Sequence, residues 1–318
     1  MILSILIKRT LALVMLAGLV SALAGCGQDE FAKNDTRSKA PLGKVTIAGQ
    51  QFTEAAIMTS LYEQVLQHAG YSVSVKNFAT RDVYLPALQQ GEVQVSADYL
   101  ASMTEALNRK DNGPQAVAVS SPDTEATLAK LAELAAPRGL QPLEPAEAKN
   151  VNSYAVTKKF AQTHRLKTLS DLGEMGQPVI LAANSDCSER QDCALGLESV
   201  YGIRISRIEP LGFDSAETKR ALTSNEVQLG QVASTDGGLA SMGIVILEDD
   251  KSWQNAENLV PVVNSAWIKD NPKAVKVLNE LSAALTTEDL ATMNQQVDAQ
   301  RLKPADVARD FLTEHDLI

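Results

Sequence analysis

The chain reads as an α/β protein of two lobes with a ligand cleft between them, and three observations predict this. From Lys44 onward, short β-rich apolar runs alternate with segments of helical period, the pattern of a parallel or mixed sheet with crossover helices. A second unit of the same kind starts near Val151. Beyond residue 240 strand signals return and the chain closes with three helical segments, so the second unit is inserted into the first. The expected lobes are residues 44–149 with 240–318, and residues 150–239. A body of this length can build real cores in both. The crevice between two such units is a common place for a small ligand, and hinge closure is one of the known switching modes.

The elements follow in order. Residues 44–48 are a β-rich run, and Thr53 is placed to cap a helix beginning at Glu54. Ala56, Ile57, Leu61, Val65 and Leu66 then recur at helical spacing until Gly70. Residues 71–75 alternate as a strand, 82–90 form a helix ending in Gly91, 93–97 alternate again and 99–109 are helical. Residues 122–134 are helical, and 141–148, with Pro142 and Pro145, are extended. The second unit contributes segments 153–156, 158–164, 169–172, 179–183, 194–201, 204–209, 216–223 and 227–232. Residues 244–248 and 259–264 are strands assigned to the first lobe, and 273–284, 287–299 and 304–313 are the closing helices.

Ahead of this body lies an export leader. Lys8 and Arg9 precede an apolar run from Leu11 to Leu23, the order of charge, apolar core and small residues of a signal peptide. The two cations interrupt the first 23 residues, which argues against a span, for which about 20 apolar residues are needed. The ending Leu23-Ala24-Gly25-Cys26 resembles a bacterial lipobox, which implies cleavage after residue 25, lipidation of Cys26 and anchoring to a membrane face outside the cytoplasm. Residues 26–43 are polar, lack an apolar period and read as a flexible tether. Removing the leader, with its two cations and no acid, takes the formal charge from −10 to −12. That balance argues against a nucleic-acid partner, which needs basic surface. Two cysteines remain. Cys187 and Cys193, in an exported chain, predict a disulfide; with no His nearby and no Cys-x-x-Cys, they do not read as a metal or redox site.

Six segments, in order, resemble the glycine betaine, carnitine and choline binding proteins of ABC transporters. They are Ala48-Gly49-Gln50-Gln51-Phe52-Thr53-Glu54, Thr80-Arg81-Asp82-Val83-Tyr84-Leu85-Pro86-Ala87-Leu88, Asp98-Tyr99, Asn152-Ser153-Tyr154-Ala155-Val156, Ser234-Thr235-Asp236-Gly237 and Leu247-Glu248-Asp249-Asp250-Lys251. The resemblance spans residues 44–318 and implies the type II periplasmic-binding-protein-like fold. It also implies a small-molecule ligand, an ABC permease as partner, a monomer, and no cofactor, metal or catalysis. It leaves open a different small polar solute on the same fold, or a lobe that reports to a receptor. A quaternary ammonium has no hydrogen to donate, so aromatic faces and a carboxylate must recognise it, each face contributing about 0.5–2 kcal/mol.

On that resemblance Tyr99 and Tyr154 are the expected cage rings, and Asp82, beside Arg81, the expected counter-charge. Gln51, Thr53, Ser234 and Thr235 are expected at the ligand's polar end, and Tyr201 as either core or cage. Read as plain chemistry, Arg81-Asp82 is also a helix N-terminus with a favourable acid, and Ser234-Thr235-Asp236 is also a helix cap. The chain departs from the family at Ala233, where an aromatic is common, at Leu100-Ala101 after Tyr99, and at Ala55 after Glu54. With aromatics at 4%, a thinned cage is expected. His68, His164 and His315 form no cluster, and no Gly-x-Ser-x-Gly, His-Glu-x-x-His or phosphate loop occurs, so the chain does not read as an enzyme.

Overall fold

A computed structural model describes residues 42–50, 52–113, 116–185 and 187–318. The leader, Cys26, the tether up to residue 41 and Gln51 lie outside the described residues. The first lobe opens with β1 (Lys44–Gln50), α1 (Thr53–His68), β2 (Ser72–Phe78), α2 (Arg81–Gln89), β3 (Val95–Tyr99), α3 (Leu100–Asn112), α4 (Thr124–Ala135) and β4 (Leu140–Pro142). The inserted lobe carries β5 (Asn152–Thr157), α5 (Lys158–His164), α6 (Leu169–Glu174), β6 (Val179–Ala182), α7 (Ala194–Tyr201), β7 (Ile205–Glu209), α8 (Ala216–Thr223), β8 (Leu229–Ala233) and β9 (Ile244–Leu247). The chain returns through β10 (Leu259–Asn264) and α9 (Ser265–Lys269) to α10 (Pro272–Ala284), α11 (Thr287–Asp298) and α12 (Pro304–Glu314).

Two five-stranded sheets result, ordered β2-β1-β3-β10-β4 and β7-β6-β8-β5-β9. In the first, β1 runs parallel to β2 and β3 while β10 is antiparallel to β3 and β4. The second repeats this plan: β6 is parallel to β7 and β8, and β5 is antiparallel to β8 and β9. Each sheet is covered on both faces. Ile47, Ile57, Leu61, Leu278, Leu281 and Leu312 fill one side of the first and Leu85, Leu88, Met103 and Val262 the other. Leu172, Leu181, Leu197 and Tyr154 lie on one side of the second, Ala155, Leu222 and Val232 on the other. This explains why the first five residues of β10 are an unbroken apolar run, Leu-Val-Pro-Val-Val, and all six, Asn264 included, are buried: a strand covered on both faces has no solvent side to alternate with.

One expected boundary moves. Residues 244–247 pair with β5, Tyr154 opposite Leu247 and Thr157 opposite Ile244, so the return to the first lobe comes after residue 247 and not at 240. An apolar strand alone does not say which sheet edge it joins; the pairing partner decides. The first helix also starts one residue early. Phe52 occupies the capping position with extended backbone and no side-chain cap, while the Thr53 hydroxyl donates to Asp298 Oδ1 at 2.6 Å.

Two crossings join the lobes, residues 143–151 and 248–258, and they run side by side. Asn150 N donates to Glu257 O at 3.1 Å, and Leu259 N to Ala148 O at 2.9 Å. Ser234 clips the first crossing: its N donates to Val151 O at 3.1 Å, its hydroxyl donates to Lys149 O at 3.1 Å, and the hydroxyl oxygen accepts from Val151 N at 2.9 Å. Cys187 and Cys193 form a disulfide, both fully buried, that closes the loop leading into α7.

Candidate functional site

In open α/β sheets, ligands meet the chain beyond the carboxyl ends of the parallel strands. Here those ends supply Phe52 after β1, Tyr99 at the end of β3, the 187–193 loop after β6, Phe213 after β7, and Ser234-Thr235 after β8. The first four enclose a cavity of about 630 Å³ between the lobes, with Asn150, Asn152, Gln254 and Asn255 from the crossings and their flanks. A smaller cavity of about 340 Å³ shares Phe52 and Phe213 and adds Thr53, Thr235, Lys219 and Asp236.

The first-lobe wall is built on two buried carboxylates. Asp98, fully buried, is held by Arg81, whose Nε donates to its two oxygens at 3.1 and 2.9 Å, and by the Tyr84 hydroxyl and Tyr99 N. Burial opposes the charge on Arg81, but the Asp98 carboxylate outweighs it and pushes the guanidinium pKa up. Arg81 therefore faces the cavity as part of a neutralised pair. Glu54, 3% exposed in the first turn of α1, accepts from the Tyr99 hydroxyl, from Asn150 Nδ2 at 3.1 Å and from Asn294 Nδ2 at 2.8 Å. Among the described residues no Lys or Arg pairs with it. Burial, and then the neighbouring Glu54 charge, raise the Tyr99 phenol well above its ordinary pKa, so the donor stays protonated. The Glu54 carboxylate thus sits at the hydroxyl end of Tyr99, in the lining of the smaller cavity.

The opposite wall carries Asp192, whose carboxylate accepts from Arg190 Nε at 2.9 Å and Asn152 Nδ2 at 3.1 Å. The Asp192 carbonyl accepts from the Tyr154 hydroxyl at 2.9 Å and Gln254 Nε2 at 3.2 Å. Glu257, whose pKa burial raises, accepts from Ser102 N at 3.0 Å and Ser102 Oγ at 2.7 Å. Arg109, exposed on α3, lines the same cavity and has no ion-pair partner among the described residues. Phe52 and Phe213, 45% and 37% exposed, present ring surface from the two lobes.

The structure brings together part of the expected set. Tyr99 and Arg81 line the 630 Å³ cavity, and Thr53 and Thr235 line its smaller neighbour. Tyr154 does not line either: it is 1% exposed, stacked on Trp253 with centroids 6.1 Å apart, and packs in the second-lobe core. Its hydroxyl fastens the 187–193 loop, and it borders a separate cavity of about 800 Å³ together with Ser234. Tyr201 is likewise core, its hydroxyl donating to Asp249 and its ring edge on Trp253. Asp82 is 78% exposed and pairs with Lys110 at 3.2 Å, outside the cavity, because the α2 start turns its second residue to solvent. Ser234 holds the crossing. Gln51 lies outside the described residues. Sequence reasoning missed Glu54, Phe52, Phe213, Asn150, Arg190 and Asp192. Phe52 and Glu54 stood inside the first motif, and an isolated Phe213 before a Ser215-capped helix was a signal for a ring on a loop tip.

Comparison with known proteins agrees with this architecture. Residues 43–314 match the family model OpuAC, the substrate-binding domain of the ABC-type glycine betaine transport system. The chain is 26% identical over 281 residues to a glycine-betaine-binding protein of Pseudomonas aeruginosa, covering 86% of this chain and 88% of that protein. It is 22% identical over 276 residues to the carnitine transport binding protein OpuCC of Listeria monocytogenes, covering 86% and 87%. Among solved structures, a glycine betaine/carnitine/choline ABC transporter protein superposes with a TM-score of 0.74 at 20% identity, covering 86% of this chain and 98% of that one. Apo YehZ from Escherichia coli superposes with a TM-score of 0.73 at 24% identity, covering 86% and 99%. With the fold, the interlobe cavity and the family match in agreement, the chain belongs to the substrate-binding proteins of ABC-type glycine betaine transport systems.

Proposed function

We propose that this protein captures a carboxylated trimethylammonium solute of the glycine betaine or carnitine type between its lobes and delivers it to an ABC permease. The observation that carries the reading is the pairing of two exposed rings from different lobes, Phe52 and Phe213, which line both adjoining cavities, the smaller of them walled also by Glu54, a buried carboxylate with no ion-pair partner among the described residues. The Phe faces and the Glu54 charge suit a methylated cation that cannot donate a hydrogen bond. Arg109, with the Ser102 and Asn255 side chains in the same lining, suits a carboxylate at the other pole. That polarity favours a zwitterion over choline. The lipobox-like Leu23-Ala24-Gly25-Cys26 supports a mature chain that begins at Cys26 and is lipid-anchored on the extracytoplasmic face.

Calorimetry of the tether-free protein with glycine betaine, carnitine and choline tests the ligand. Binding of at least one carboxylated compound, tighter than choline, is expected. Equal affinity for choline, or no heat with any of the three, overturns the assignment and redirects the search to mass spectrometry of retained solutes. Loss of fatty-acid labelling in Cys26→Ser tests the anchor; unchanged labelling would refute it.

A further inference from the structure

The charged part of the wall that the second lobe gives to the cavity is a single short loop, and the disulfide closes it. Arg190 and Asp192, the two charged cavity residues of this lobe, both lie between Cys187 and Cys193. Inside the ring the backbone is folded on itself: Arg190 N donates to Cys187 O at 3.3 Å and Cys193 N to Arg190 O at 3.2 Å. Outside it, Asp192 is tied on both ends, its carbonyl to Tyr154 and Gln254 and its carboxylate to Arg190 and Asn152. There is no slack beneath. A Cβ on Gly196 would stand 2.0 Å from Trp253 Cζ2 and 2.2 Å from Gln191 O.

A disulfide that closes so short a loop removes little entropy from the unfolded chain compared with one that spans a domain. Its geometric effect is local and large. It fixes where the loop leaves β6 and where it enters α7, and so sets the only stretch from which the Arg190–Asp192 pair can reach the cavity.

We propose that the Cys187–Cys193 disulfide is a positioning element of the binding site, holding the Arg190–Asp192 pair in the cavity wall so that ligand affinity depends on it. This rests on the reading of the cavity as the ligand site. Both sulfurs are buried and neither cysteine lines this cavity, so the disulfide acts through the loop and not by contact with the solute.

The test compares the mature protein with a Cys187→Ala/Cys193→Ala variant, with Cys187→Ser/Cys193→Ser as the alternative if the first does not fold. In the absence of any solute, hydrogen exchange at the amides of Arg190 and Cys193 should quicken at least tenfold while β6 and β8 keep their protection. With glycine betaine as probe, calorimetry should show affinity falling about tenfold. In an Arg190→Ala/Asp192→Ala background the cysteine substitutions should cost no further affinity, because contributions made through one shared contact are not additive. Unchanged loop exchange overturns the proposal. So does exchange that quickens across the whole lobe, or the same fold-loss in both backgrounds, since each marks a disulfide that serves stability alone. If the intact protein binds no glycine betaine, the functional reading fails, and the exchange measurement alone then decides the positioning claim.

Discussion

At the scale of single residues, recognition is expected to fall on rings and charges that face the cavity. Phe52→Ala and Phe213→Ala should each weaken binding by about 0.5–2 kcal/mol, or roughly two- to thirtyfold, whereas Asp82→Asn, on the solvent side of α2, should leave affinity unchanged in the same calorimetric titration. Glu54→Gln keeps shape and removes the charge; about tenfold weaker binding is expected, close to 1.4 kcal/mol. Asp214 supplies a pH test. Burial first, and then the neighbouring Asp236, push its pKa up to about 6, against the pull of Lys219. A carboxyl that binds its proton more tightly folded than unfolded adds stability below its free pKa of about 4 and loses it as pH rises through about 6. In Asp214→Asn the fall in thermal unfolding temperature between those two values should be flatter than in the parent; parallel profiles would refute the assignment. Tyr99 and Arg81 could be placed from their motifs. Asp82 and Tyr154 could not, because a motif fixes where a residue sits along an element and not whether its side chain turns to solvent, core or cleft.

At the scale of elements, the helical and strand periods were legible, and most boundaries stand within two or three residues. The segments 158–164, 194–201, 216–223 and 259–264 coincide with α5, α7, α8 and β10. What periodicity does not carry is contact between elements. Gly173 in α6 meets the end of α7 so closely that a Cβ there would stand 1.8 Å from Tyr201 O, a backbone atom that cannot move aside alone. Gly173→Ala should therefore cost about 1–3 kcal/mol in denaturant unfolding, while cavity-wall groups far from α6 keep their ligand affinity to within the change in folded fraction. The start of α1 shows the same limit. Thr53 has the chemistry of a cap, yet its hydroxyl goes to Asp298 on α11, an acceptor that no local pattern reveals.

At the scale of the molecule, two lobes and an insertion were legible because the strand-helix alternation restarts, while the point of return was not, because β9 and β10 are both short apolar runs. The lobes also touch beside the crossings. Gly237, just after β8, lies so near α11 that a Cβ would be 2.1 Å from Ala291 O, and Asn294 Nδ2 donates to Thr235 O at 3.1 Å. Gly237→Ala should prop the lobes apart on that side. Small-angle scattering with saturating solute should then show a larger radius of gyration than the parent; an identical value would refute the contact's role in closure.

The division of the cavity between lobes has a thermodynamic consequence. Phe52 and Glu54 belong to one lobe and Phe213 and Asp192 to the other, so neither half holds a solute by itself. A bound molecule is then a reversible cross-link, and its chemical potential sets how tightly the unfolding of the two halves is coupled. At one hundred times the dissociation constant it adds about 2.7 kcal/mol to the folded state. That increment vanishes as soon as either half melts, so both halves share it. Scanning calorimetry should show a broad or split transition without solute that sharpens and merges as solute is raised, turning two cooperative bodies into one.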